Sequence, residues 1–143
     1  MNKTHIQYGA AILAAPLFVL FYNYIFQHQS VDIERLFSDT NSLFFLIVFY
    51  PVIEELAFRG VIQEYIASKT EQYPSIFFLT VANIMTSVLF VLIHFVHHTP
   101  VWALLVFVPS LIFGYFKDQY NNIVPSIFLH MFYNFCSVFM IIS

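Results

Sequence analysis

Residues 51–59, PVIEELAFR, place two glutamates and an arginine inside an otherwise apolar segment. That segment runs from about Ser42 to Ala67, long enough for the roughly 20 residues of a membrane-spanning helix. An ionised side chain at the centre of such a helix costs about 2.5–3.5 kcal/mol. Three of them within six positions therefore indicate groups that face the protein interior or a cavity.

Composition places the chain in a membrane. Of its 143 residues, 60% are hydrophobic and 9% are charged, whereas a soluble domain carries about 25% charged residues. The mean hydropathy is +0.79, and a soluble fold of this length cannot bury so much apolar surface. The five Lys and Arg residues form no basic stripe, so nucleic acid is not an expected partner. Cys136 is the only cysteine and is interpreted as a small buried hydrophobe.

Apolar segments separated by short polar stretches predict an all-α fold, a polytopic membrane helical bundle of about five transmembrane helices. The segments cover about residues 6–26, 42–67, 75–95, 101–116 and 123–142. The first is too long for a signal-peptide core and no small-x-small cleavage site ends it, so we interpret it as a retained helix. The length predicts one membrane-embedded domain, 1–143, with a motif-bearing core over about 44–143.

The few basic residues predict the orientation of the chain. Lys3, Lys69 and Lys117 fall at the N-terminus and in the second and fourth loops, on one side of the membrane. Only Arg35, in the polar stretch 27–41, falls in a loop on the other side. The positive-inside rule therefore predicts a multi-pass protein of the cell membrane with a cytoplasmic N-terminus. The small chain favours a prokaryotic inner membrane.

Two of the three charges in the second segment can pair with each other. Glu55 and Arg59 are four residues apart on one helix face, with the glutamate first, which is the favoured order. Glu54 projects about 100° away from Glu55 around the helix, so that ion pair does not account for it. A carboxyl held inside a membrane protein can act as a general base or acid near neutral pH. Glu54 is therefore the predicted catalytic carboxyl.

Further polar residues occur in the later apolar segments. His130 and Asn134 are four residues apart and share a helix face. Polar side chains inside a membrane are expected to face a polar partner or a cavity. Hydrogen bonding between helices is the alternative to a catalytic role for them. His94 lies near the end of the third segment and could equally be an interfacial residue. His97 and His98 lie in the connection itself, so the interfacial interpretation is favoured for them. His94 and His98 also have the i, i+4 spacing of a metal-binding pair.

Together these side chains predict a site that activates water. Glu54 could take a proton from a water that His94 orients, while His130 and Asn134 donate to the oxyanion formed on a peptide carbonyl. No metal or other cofactor is expected, because the chain lacks an H-E-x-x-H motif. A zinc protease with Glu54, His94 and His130 as ligands is the alternative, since two histidines and a carboxylate form a legitimate zinc set.

Three motifs occur in order on separate segments. E-E-x-x-x-R spans Glu54–Arg59, F-x-x-x-H spans Phe90–His94 and H-x-x-x-N spans His130–Asn134. A small-residue pattern spans Ser110–Gly114. In order and spacing this set resembles the CPBP family of glutamic intramembrane proteases, which includes type II CAAX prenyl endopeptidases and bacteriocin-processing members. The resemblance covers the chain from about residue 44 to the C-terminus.

The resemblance implies a helical membrane fold and cleavage of a membrane-anchored protein or peptide near the bilayer. It implies the following roles for the motif residues: water activation by Glu54 with His94, an oxyanion hole of His130 and Asn134, and support from Glu55 and Arg59. Only one helix precedes the motif core, which leaves the substrate open. Processing of a C-terminal sorting signal is favoured over true CAAX cleavage. The non-enzymatic alternative is a membrane immunity or scaffold protein.

Overall fold

The computed structural model describes residues 2–26, 40–97 and 99–141, and nearly all of them are helical. The helices are α1 Lys3–Phe26, α2 Thr40–Phe44, the π-helix π1 Phe45–Phe49, α3 Tyr50–Glu55, the π-helix π2 Leu56–Gln63, α4 Glu64–Thr70, α5 Val81–His97, α6 Pro100–Leu105, α7 Phe107–Tyr120 and α8 Val124–Ile141. No strand forms within those ranges, only one isolated bridge. The predicted all-α membrane helical fold is therefore confirmed.

Helices occupy each of the predicted segments, but the third begins later than expected. α5 starts at Val81 rather than near Ser75. The preceding residues 76–79 form a tight turn whose end residues exchange backbone hydrogen bonds of 2.9 and 3.0 Å. The two central phenylalanines of this turn have φ angles of 48° and 73°, which a right-handed helix cannot contain. The apolar pattern extends across this turn, which explains the misplaced boundary.

The fourth helical segment ends later than expected. A polar turn was predicted from Lys117 to Asn122, whereas α7 continues to Tyr120. The helix ends at Asn121, which has a left-handed φ of 46° that asparagine tolerates better than most residues. The backbone N–H of Asn122 donates to the Lys117 carbonyl over 3.2 Å and closes the helix end. The prediction from side-chain polarity therefore ended this helix about one turn too early.

Length and composition make two helical stretches suitable for crossing a membrane. These are Lys3–Ile25 and Pro100–Tyr120, of which the second contains the junction between α6 and α7. Val81–His97 and Val124–Phe139 are apolar but shorter. The predicted polar stretch 27–41 lies outside the described residues up to position 39.

Burial among the described residues differs from that of a soluble protein. Many large apolar side chains are exposed, whereas side chains with no exposed surface include many polar ones: Glu55, Arg59, Gln63, Asn83, Thr86, Ser87, Ser110 and Ser126. Water would disfavour so large an exposed apolar surface, whereas lipid accepts it. Lipid in turn requires that polar groups find partners inside the protein. This distribution is therefore that of a membrane protein.

The chain divides into two compact units. Unit 1 comprises Met1–Val52 and Phe128–Ser143, and unit 2 comprises Ile53–Ile127. In unit 1 the hydroxyl of Tyr133 donates to the Ala11 carbonyl over 2.9 Å, which joins α8 to α1. In unit 2, α5 packs against α4, π2, α6 and α7. The charged motif at residues 54–59 belongs to unit 2.

Candidate active site

Arg59 is the centre of a buried polar cluster in unit 2. Its Nε donates to Glu55 Oε2 over 3.3 Å, so the predicted ion pair is present, and neither side chain has any exposed surface. One terminal nitrogen donates to the carbonyl and the hydroxyl of Ser110 on α7, over 2.8 and 2.6 Å. The other donates to Gln63 Oε1 over 3.4 Å. The buried guanidinium therefore has acceptors on both π2 and α7.

The small residues of α7 are explained by a close approach of helices. One turn after Ser110, the Gly114 carbonyl accepts a hydrogen bond from Gln63 Nε2 over 3.2 Å. A Cβ added at position 114 would lie 2.9 Å from Gln63 Oε1 and would collide with Asn83 Oδ1. The S-x-x-x-G pattern thus lets the backbone of α7 reach the polar side chains of π2 and α5, as small residues do between membrane helices.

The arginine of the first motif sits on a π-helix. Helix α3 ends at Glu55, and π2 continues the chain with Phe58, Arg59 and Gln63 as its buried side chains. π-helical turns are rare and occur frequently at functional sites. Here the π-helix carries the side chains that contact α5 and α7.

Phe90 connects Arg59 to His94 within unit 2. Its ring packs edge-on against Phe58 with centroids 4.9 Å apart, and it lies 4.4 Å from the His94 ring. The Arg59 guanidinium carbon stands 5.8 Å from the centroid of the Phe90 ring. The phenylalanine of the F-x-x-x-H motif therefore separates the buried ion pair from the histidine.

The backbone of Phe90 sets the tautomer of His94. His94 Nδ1 lies 2.8 Å from the Phe90 carbonyl oxygen. A carbonyl can only accept, so Nδ1 carries the hydrogen and Nε2 is the acceptor of the neutral ring. In this tautomer Nε2 can accept a hydrogen bond from a water molecule. The i, i+4 spacing of the motif thus brings Nδ1 of the histidine to the Phe90 carbonyl.

The two neighbouring glutamates of the first motif differ in burial. Glu54 and His94 are both half-buried, whereas Glu55 is fully buried. His97 is exposed, and His98 lies outside the described residues. Across residues 2–26, 40–97 and 99–141, no group of three His, Cys, Asp or Glu side chains is placed to hold a metal ion.

The third motif lies in unit 1, on α8. His130 is buried and Asn134 is half-buried, one helical turn apart as predicted. The structure therefore places Glu54 and His94 in one unit and His130 and Asn134 in the other.

Asn134 has a structural partner within unit 1. Its Nδ2 donates to the Leu46 carbonyl over 2.9 Å. In π1 the Tyr50 N–H donates to Phe45, and the next residue, Pro51, has no N–H. The Leu46 carbonyl thus loses both of its usual helical donors, and the asparagine side chain replaces them. One of the two amide hydrogens of Asn134 therefore takes part in a hydrogen bond between helices, as the alternative interpretation of this residue expects.

The sequence analysis missed several members of the polar cluster in unit 2, among them Gln63, Asn83 and Asp118. Gln63 continues the face of Arg59 one turn later, so helical spacing could have found it. Asn83 Nδ2 donates to the Leu111 carbonyl over 3.0 Å, a contact between sequence-distant helices that no local pattern signals. Asp118 was assigned to a polar turn, although it lies in α7.

An all-helical membrane fold with a buried ion pair, a half-buried glutamate and a histidine of fixed tautomer has the parts of a membrane-embedded hydrolase. A family model described as type II CAAX prenyl endopeptidase Rce1-like matches residues 37–136. The chain therefore belongs to this family, and it is a membrane-bound protease with a membrane-associated substrate. Among curated proteins and solved structures no match was found. The matched range includes all three motifs, so the resemblance seen in the sequence is confirmed.

Replacing Arg59 by alanine should destabilise the protein. The substitution leaves Glu55 buried without its ion-pair partner, and breaking a buried pair from one side costs about 3–5 kcal/mol. We expect Arg59→Ala to lower both membrane abundance and the melting temperature in detergent. Glu54→Gln is the control, because it changes the neighbouring glutamate and leaves the pair intact. An unchanged melting temperature for Arg59→Ala would contradict the importance of the pair.

A double-mutant cycle should reveal the bond between Asn134 and the backbone at Leu46. Asn134→Ala removes a side-chain hydrogen bond inside a membrane protein, worth about 0.6–2 kcal/mol in unfolding free energy. In a Pro51→Ala background, the new N–H can donate in the helix, so the same change should cost less. We expect a coupling of at least about 0.5 kcal/mol. Strict additivity in the unfolding free energies would show that the proline does not create the need for Asn134.

Proposed function

We propose that this protein cleaves a peptide bond of a membrane-anchored protein by using water activated by Glu54. The observation that carries the proposal is the buried Glu55–Arg59 pair directly beside Glu54. Arg59 holds Glu55 through a 3.3 Å contact in a fully buried site, while the adjacent Glu54 keeps partial exposure. Two neighbouring carboxylates thus have separate tasks, one structural and one chemical.

In the proposed reaction Glu54 accepts a proton from water as the water oxygen attacks the carbonyl carbon of the scissile peptide. His94 orients that water through Nε2, a role supported by the hydrogen bond that keeps the hydrogen on Nδ1. The tetrahedral intermediate collapses as the C–N bond breaks, and Glu54 returns the proton to the leaving nitrogen. The products are a carboxylate and an amine, and no redox partner is needed.

His130 and Asn134 are the proposed donors to the oxyanion. Asn134 Nδ2 donates one hydrogen to the Leu46 carbonyl and carries a second hydrogen. A donor whose orientation is already fixed needs no reorganisation when charge develops on the substrate oxygen. This fixed orientation supports a catalytic role for Asn134 in addition to its structural one.

For the substrate, we propose a C-terminal segment held at the membrane by a hydrophobic anchor. The family description names a prenylated C-terminus, in which a lipid anchors a short peptide. A C-terminal sorting signal with an apolar tail offers the same chemistry: a peptide bond close to a group buried in the bilayer. The exposed apolar surfaces of the helices suit a substrate that arrives through the lipid.

Glu54→Gln should abolish cleavage without unfolding the protein. Removing a general base costs about 10²–10⁴-fold in rate. Two fluorogenic peptides, one ending in a farnesylated CAAX box and one in an apolar sorting signal, would be incubated with the protein in liposomes. Glu71→Gln, which changes an exposed loop glutamate, is the matched control and should cleave normally. Wild-type turnover by Glu54→Gln would disprove the mechanism.

The same assay separates the competing functions. Activity that disappears in a strong chelator, together with one zinc per chain that His94→Ala loses, would favour the zinc protease. Cleavage of neither peptide by the wild-type protein would favour the non-catalytic immunity or scaffold protein. The glutamate mechanism predicts full activity in the chelator.

We further propose a multi-pass topology with the N-terminus in the cytoplasm. Lys69 supports this, because it is exposed and its ammonium lies 5.8 Å from the Tyr65 ring centroid, an arrangement suited to a membrane interface. Reporter fusions truncated after Glu71 and after Asn122 should both report the cytoplasm, and a fusion to the intact C-terminus should report the opposite side. A cytoplasmic signal from the C-terminal fusion would refute this topology.

A further inference from the structure

A continuous chain of side-chain hydrogen bonds links α7 to the first motif within unit 2. Asp118 Oδ1 accepts from Gln63 Nε2 over 2.8 Å. Gln63 Oε1 in turn accepts from an Arg59 terminal nitrogen over 3.4 Å, and Arg59 Nε donates to Glu55 over 3.3 Å. The chain therefore begins at a carboxylate 63 positions beyond Glu55 in the sequence and ends beside the proposed base.

The partners of Gln63 allow only one orientation of its amide. Its Nε2 donates to two oxygens, those of Asp118 and of the Gly114 carbonyl, over 2.8 and 3.2 Å. Its Oε1 faces Arg59, which has donors and no acceptor. A flipped amide would set donor against donor at Arg59 and acceptor against acceptor at Asp118. Gln63 thus transmits the position of Asp118 to the guanidinium.

Asp118 is itself held from two helices. Its second oxygen accepts from the Thr80 hydroxyl over 2.8 Å, and the same hydroxyl accepts from the backbone N–H of Asn83 at the start of α5. Lys117 lies 3.5 Å from Asp118 Oδ1 and also forms an ion pair with Glu64. The carboxylate at the start of the chain is therefore fixed by Thr80, which directly precedes α5, and by Lys117 on its own helix.

We propose that Gln63 and Asp118 are positioning residues for peptide cleavage. They hold the Arg59 guanidinium in the rotation that supports Glu55, and so keep the backbone that carries Glu54 in its productive place. Neither residue touches the reacting atoms in this scheme, and both act through Arg59. The proposal rests on the proposed function, because it takes Glu54 as the base. It extends the first motif to E-E-x-x-x-R-x-x-x-Q, completed by an aspartate on α7.

The physical basis is the sensitivity of catalysis to small displacements. A misplacement of about 1 Å at a reacting group can cost about 10²-fold in rate. In a buried polar network, a group that loses its partner is costly because the local dielectric is low. Without Gln63, one Arg59 nitrogen would lose its acceptor in a site with no exposed surface, and the guanidinium would turn towards Ser110. The Glu55 contact, already long at 3.3 Å, would then weaken first.

The test compares Gln63→Met, Asp118→Ala and Asp118→Asn in liposomes with the farnesylated and the sorting-signal peptides. Gln63→Met keeps the length and volume of the side chain without its amide. We expect Gln63→Met and Asp118→Ala to lower kcat per folded protein by about 10–100-fold, with KM changed by less than about threefold. Asp118→Asn keeps an acceptor oxygen for Gln63, so its kcat should stay within about threefold of wild type.

Ser126→Ala is the matched control for loss of a buried interhelical hydrogen bond. Its hydroxyl donates to the Phe113 carbonyl over 2.6 Å in the same unit, away from the chain that contains Gln63. It should lower the melting temperature without lowering kcat per folded protein. The combined Gln63→Met and Asp118→Ala variant should be no slower than the slower single variant, because both interrupt one chain.

Two results would overturn the positioning role. The first is a lower melting temperature with wild-type kcat per folded protein in Gln63→Met, which is what a purely structural role gives. The second is independent, multiplying losses of kcat in the double variant. If Asp118→Ala does not accumulate, Gln63→Met alone decides. Failure of the proposed base is recognised separately, as full activity of Glu54→Gln, whatever the two positioning variants do.

Discussion

A positive charge buried inside the protein is the constraint around which unit 2 is organised. The Arg59 guanidinium has five N–H donors and no acceptor, and its side chain has no exposed surface. Each donor that lacks a partner in such a place is costly, so the surrounding helices supply oxygens: a carboxylate, a hydroxyl, a backbone carbonyl and an amide. Such a network is weak as a source of stability, since removing two charges from water costs about what their attraction returns. Its value is that it permits few alternative arrangements.

Several features of unit 2 follow from that requirement. The hydroxyl and carbonyl of Ser110 can reach Arg59 only because α7 comes close, and the lack of a side chain at Gly114 makes the approach possible. The Phe90 ring lies 5.8 Å from the guanidinium carbon and also contacts the His94 ring. The carbonyl of the same residue selects the histidine tautomer. A single buried cation thus accounts for the residue types at several motif positions.

Unit 1 solves a related problem that comes from the backbone. Pro51 cannot donate, and the local shift to π-helical bonding leaves the Leu46 carbonyl for a side chain to satisfy. Asn134 does so, and its amide is fixed in direction as a result. In both units a group that membrane insertion makes costly is compensated by a polar side chain from another helix. The compensation leaves a donor or acceptor of defined orientation that chemistry can use.

Sequence alone determined the fold class, the buried ion pair and the protease family, because all three depend on signals that are local along the chain. Apolar runs long enough for membrane helices identify a helical membrane protein, and the i, i+4 spacing of Glu55 and Arg59 identifies their ion pair. The motif set indicated the protease family that the family match confirms. The start of α5 and the end of α7 could not be predicted from such local signals. The start of α5 depends on a turn with positive φ angles, which an apolar sequence does not predict. The end of α7 depends on a helix cap that lies beyond a polar run.

Only the tertiary structure decided which polar residues join the ion pair. Gln63, Asn83 and Asp118 resemble ordinary polar residues near helix ends when they are seen in sequence. They become a network because π2, α5 and α7 bring carbonyls and side chains separated by 28–55 positions within hydrogen-bond distance. Sequence patterns report the face on which a residue lies, because helix geometry repeats along the chain. They do not report which helix that face meets, because packing is settled by the shapes of all helices together.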